Sequence, residues 1–120
     1  AEMQAASLLA KLESKDPTAM SARDTIQMAT LDGARALGLD HVTGSLEPGK
    51  SADFIALDFT HLGMEPNHQI ESNLVYANLG SEVTWSWIAG KNVVKNRQLQ
   101  TLDSDALHHK AAAWRGKLSP

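Results

Sequence analysis

The 120-residue chain contains no cysteine, which excludes disulfides and thiolate metal sites outright. No apolar run approaches the about 18 residues a membrane-crossing helix needs, and no signal-peptide pattern opens the chain. A cytoplasmic location is therefore the default expectation. Charge of one sign is not concentrated anywhere. A net charge of −3 with both signs interspersed leaves no basic stripe for nucleic acid and no polybasic membrane anchor. Phosphate-binding glycine loops, a Ser-His-Asp order, internal repeats and low-complexity tracts are all missing. What is there suits one soluble globular domain with a modest core: 42% hydrophobic and 21% charged residues.

Residues Glu2–Glu13 read as an amphipathic helix with Ala5, Leu8, Leu9 and Leu12 at helical spacing. The chain opens at Ala1 inside this pattern with no capping residue before it, so the expectation is a start partway through something larger. Asp16-Pro17 breaks the pattern. Ser21 with Asp24 resembles a capping box and opens a second helix carrying Ile26, Met28 and Ala29. Thr30 either caps a further short helix through Leu37 or the two run together, with Gly33 weakening an unbroken helix. Gly38 is placed to end the helix in a left-handed conformation.

Thr43–Leu46 reads as a short strand. Glu47-Pro48-Gly49-Lys50 spells a type II turn, because proline pre-sets φ at its second position and glycine supplies the positive φ at its third. Lys50 reads as a solvated side chain. Phe54-Ile55-Ala56-Leu57 is a continuous apolar run, which predicts a strand covered on both faces. A loop over Thr60–Gln69 leads to a short helix over Ser72–Leu79, stopped by Gly80. Glu82–Ala89 alternates strictly, with Val83, Trp85, Trp87 and Ala89 on one face and Thr84, Ser86 and Ile88 on the other. A hairpin at Gly90-Lys91 returns through Asn92–Lys95, and Asn96-Arg97 reverses again into Gln98–Thr101. Asp103 or Ser104 caps a last helix with Leu107, Ala111, Trp114 and Leu118 along one stripe.

The string GSLEPGKSADFIALD, preceded by ATLDGARALGL and continued by SNLVYANLGSEVTWSWIAGKNVVKNRQL, resembles the C-terminal segment of the amidohydrolase superfamily. The nearest branch is the cytosine deaminase-like and chlorohydrolase-like one, which also includes adenosine-type and S-adenosylhomocysteine-type deaminases. The likeness covers roughly Thr18 to Asp103. It implies an α+β chain whose residues 1–38 are terminal helices of a β/α barrel. Residues 39–102 would be strands of the small composite β-sandwich beside that barrel, and 103–120 a C-terminal helix. The family usually has Asn-Gly or Asp-Gly at the hairpin, where this chain has Ala89-Gly90, which leaves the turn type open. The implied activity of a complete member is metal-dependent hydrolysis of a non-peptide carbon–nitrogen bond, deamination of a heterocyclic amine or amidine, using zinc or iron. The matched segment follows the family's last metal-ligating aspartate. Carry-over residue by residue therefore yields no catalytic, cofactor-binding or metal-binding residue, and the chain alone is expected to be inactive.

Other candidates come from residue types alone. His61, Glu65 and His68 share one loop, and three such ligands within eight residues can grip a metal; solvated surface residues are the competing reading. His108 and His109 are neighbours about 100° apart on a helix and cannot chelate together. His41 follows Asp40 in a turn and is most simply solvated. Trp85 and Trp87 either stack a ligand or, as strict strand spacing favours, pack in a core or interface. Asp53 and Asp58 lie five apart on a strand, hence on opposite faces, and form no acid–base pair. The alternative to the hydrolase reading is a stand-alone, non-catalytic interaction or oligomerisation module. If the resemblance holds, the stripe Ala5/Leu8/Leu9/Leu12 lacks the barrel strands it would pack on and the face Val83/Trp85/Trp87 lacks part of its covering sheet, so self-association is expected, whereas a stable monomer would favour the independent module.

Overall fold

The computed structural model describes residues 1–60, 64–77 and 83–118. His61, Leu79, Gly80 and Glu82 lie outside the described residues. Helix α1 (Glu2–Ser14) ends on Lys15 in the left-handed region at φ 54°. Helix α2 (Ala22–Gln27) opens on the expected capping box: the Ser21 hydroxyl accepts the Asp24 N–H, and the Asp24 carboxylate accepts the Ser21 N–H. It runs without a break through a π-helical segment (Met28–Asp32) into α3 (Gly33–Ala36). The two expected helices therefore join. Thr30 caps nothing; its hydroxyl donates back to the Ile26 carbonyl at 2.7 Å. Gly33 sits inside the helix, where a Cβ would come within 3.1 Å of the Met28 carbonyl oxygen, so its bareness makes room for the widened turn. Gly38 (φ 70°) ends the helix in a Schellman motif, with Leu39 N–H donating to Ala34 and Gly38 N–H to Arg35.

The strand expected over Thr43–Leu46 does not form. The Val42 and Thr43 N–H groups both turn back onto the Leu39 carbonyl, at 2.8 and 2.9 Å. Gly44 (φ 92°) lays the loop so close on the helix that a Cβ there would stand 2.7 Å from the Ala34 Cβ. Contact with the helix has overridden local strand preference. The next turn is type II as read: Lys50 N–H donates to the Glu47 carbonyl at 3.2 Å and Gly49 has φ 93°. Lys50 itself is not solvated. Its side chain is 13% exposed, donates to the Ser45 hydroxyl at 2.6 Å and lies 3.8 Å from the Glu47 carboxylate.

Strands β1 (Phe54–Leu57), β2 (Val83–Ile88), β3 (Lys91–Lys95) and β4 (Gln98–Leu99) form one antiparallel sheet in that order. Phe54 pairs with Trp87 and Ala56 with Trp85, and bulges shift the register after Ala56 and after Ser86. Within this chain β1 is an edge, and Ile55 is 53% exposed, so the expected cover on both faces is not supplied. Helix α4 (Ile70–Tyr76) begins two residues earlier than its periodicity suggested. Helix α5 (Ser104–Leu118) is capped by Asp103, whose carboxylate accepts the Asp105 and Ala106 N–H groups, both at 3.0 Å.

The chain is thus α+β, with α1, α2 and α4 packed together beside an antiparallel sheet. Among the described residues its buried apolar side chains are Ala34, Met64 and Val75. The radius of gyration is 18.1 Å, against about 13.6 Å for a compact domain of this length. An open shape with so small a core leaves Leu8, Leu9 and Leu12 on the surface.

The β2–β3 hairpin turn places Ala89 at φ 48° and Gly90 at φ 75°, the double positive of a type I′ turn. Alanine in that region costs about 1–2 kcal/mol. The segment leading into β1 holds it there: Asp53 accepts the Ala89 N–H at 2.7 Å and the Ala52 carbonyl accepts the Gly90 N–H at 3.1 Å. Ala89→Asn, which tolerates the same backbone, is expected to raise stability by about 0.5–1 kcal/mol in urea unfolding. An unchanged or lowered midpoint would mean that the turn is not strained at Ala89.

Candidate functional site

The residues singled out in the sequence do not converge. Glu65 and His68 are exposed, and His61 lies outside the described residues. His41 is exposed in a turn, and His108 and His109 are exposed on α5, where His109 Nδ1 lies 2.8 Å from the Asp105 carbonyl. Trp85 and Trp87 stack on each other at 5.6 Å between ring centroids, and Phe54 stacks on Trp87 at 4.4 Å. The aromatic row partners itself, and the Lys95 ammonium stands 5.7 Å over Trp85. Asp58 accepts the Thr60 N–H and hydroxyl and faces Arg97 at 3.9 Å. The Asp53 carboxyl is held below its ordinary value by the Ala89 N–H, with the Thr43 and Ser51 hydroxyls in support. Both aspartates are committed to the backbone around them.

A polar cluster that periodicity did not reveal joins the helices instead. Ser7 and Lys11 stand one turn apart on α1 and so share a face. Ser7 is fully buried; its hydroxyl donates to the Met20 carbonyl at 2.9 Å and meets the Tyr76 hydroxyl at 2.7 Å. The Lys11 ammonium donates to Ser7 Oγ (3.0 Å) and to the Ala19 and Met20 carbonyls. Gln4 adds a bond to the Tyr76 carbonyl at 3.3 Å. The Ser7 hydroxyl pulls the Tyr76 phenol below its ordinary value, helped by Lys11 and opposed by burial. No buried side-chain polar atom among the described residues is left without a partner.

Serine, lysine and tyrosine together suggest an activated nucleophile. The geometry argues otherwise. The Lys11 nitrogen is engaged by three oxygen acceptors, the Ser7 hydroxyl and the Ala19 and Met20 carbonyls, which fix it in place between the helices. Ser7, with no exposed surface, cannot meet a substrate. The cluster is a clasp that joins α1, the turn before α2, and α4. Beside it lies an open cleft of about 400 Å³, with Lys11, Pro17, Ser21, Arg23, Gln69 and Tyr76 among its lining. No group of three histidine, aspartate or glutamate side chains able to hold a metal occurs among the described residues. They do not fit a catalytic zinc site, which needs three protein ligands about one ion.

The sequence profile of the amidohydrolase family matches residues 1–93. A 5-methylthioadenosine/S-adenosylhomocysteine deaminase of Teredinibacter turnerae is 48% identical over 118 residues, covering 98% of this chain and 27% of that protein. The protein of the same description from Saccharophagus degradans is 44% identical, covering 98% of this chain and 26% of its own length. Among solved structures, a zinc-bound adenosine deaminase from Xanthomonas campestris superposes with a TM-score of 0.89 at 42% identity. That match covers 97% of this chain and 26% of the other. A zinc-complexed atrazine chlorohydrolase from Arthrobacter aurescens, at 23% identity, shares the fold with a TM-score of 0.76 over 92% of this chain and 25% of its own. The chain thus spans about a quarter of the length of the relatives it matches.

Lys11→Met keeps the aliphatic stem but strips donors from Ser7 and two carbonyls, and is expected to cost about 1–3 kcal/mol. Tyr76→Phe removes one hydroxyl and is expected to cost about 0.5–1.5 kcal/mol. Chemical denaturation of both variants measures this. Two neutral substitutions would show that the clasp does not hold the helices.

Proposed function

The chain belongs to the amidohydrolase family, and from that premise we propose that it is the C-terminal part of a metal-dependent deaminase of adenine nucleosides, with 5-methylthioadenosine and S-adenosylhomocysteine as substrates. The observation that carries the reading is 48% identity, across 98% of the chain, to a deaminase so described. In the reaction the exocyclic C–N bond of the heterocycle breaks, the oxygen of water bonds to that carbon, and ammonia leaves. In the complete protein a zinc or iron ion would lower the pKa of its bound water, so that hydroxide would be available near neutral pH. This reading assigns its ligands to the remainder of the protein, and no group of three histidine, aspartate or glutamate side chains among the described residues could hold it.

This chain's part in that protein is architectural. Residues 1–38 serve as the last helices of the β/α barrel, 39–102 as strands of the composite β-sandwich, and 103–120 as a C-terminal helix. The orientation of α1 supports this. The clasp turns its polar face (Gln4, Ser7, Lys11) inward, and Leu8, Leu9 and Leu12, 51%, 63% and 74% exposed, face away. A helix that spends its polar side on its own chain has its apolar side to offer to barrel strands. Each leucine so buried contributes roughly 1.5–3 kcal/mol.

The test is ammonia release by the product of the whole reading frame, with both nucleosides and with cytosine and guanine as controls. The expected result is turnover of the two adenine nucleosides, abolished by a strong chelator, and none by the 120-residue chain alone. Inactivity of the whole protein on both nucleosides would overturn the substrate assignment. Chelator-sensitive turnover by the 120-residue chain would overturn the placement of the metal site outside it.

A further inference from the structure

We draw no further inference here: the strongest candidate, the open cleft between α1, the turn before α2 and α4 that Lys11, Arg23, Ser72 and Tyr76 help to line, carries nothing, because the polar groups of Lys11 and Tyr76 are already engaged in the clasp and nothing in the structure shows what fills or covers the rest.

Discussion

A single buried hydroxyl, Ser7 Oγ, organises the helical half of this chain. It gives its proton to the Met20 carbonyl while receiving the Lys11 ammonium and contacting the Tyr76 hydroxyl. Three segments, separated by up to 69 residues along the chain, are thereby fixed to one another by polar contacts. In most small domains an apolar core does this. Here the apolar side of α1 is turned outward, and the helices meet through atoms that demand specific partners at specific distances. Satisfied polar networks specify geometry more sharply than they add stability. The consequence is a helix held in a defined orientation with its leucines presented on the surface.

The sheet is organised by a comparable economy of contacts. Asp53 and Ala52 hold the turn of the neighbouring hairpin from beyond the end of β1, which fixes where β2 begins its return. Gly44 fixes the other side of the same connection by lying against Ala34. Strand β1 therefore sits between two anchors, one on the helix and one on the hairpin. The aromatic row Phe54, Trp87, Trp85 then lines one face of the sheet.

What could be read from the sequence was whatever is settled within a few residues. The capping box at Ser21, the glycine stop at Gly38, the type II turn at Gly49 and the Asp103 cap are local satisfactions of backbone groups, and each residue type announces its own. The α+β class and the family followed from the string around Gly44–Asp58. The strand expected at Thr43–Leu46 was lost to a contact with Ala34 that no local pattern encodes, and Lys50 was misjudged because its partners are side chains rather than a periodic face. The clasp was invisible for the same reason. Ser7 and Lys11 fall on the polar side of an amphipathic helix, which ordinarily means solvent, and only the fold brings Tyr76 to them.

The account rests on polar contacts, not apolar burial, uniting α1, α2 and α4. Native-state hydrogen exchange measures this most directly, because amides that open together share one free energy. The account predicts a common opening free energy for the amides of α1, α2 and α4, a different one for β2 and β3, and almost no protection along α5. If α4 instead exchanged as readily as α5 while α1 and α2 stayed protected, the clasp would not be joining these helices and the account would be contradicted.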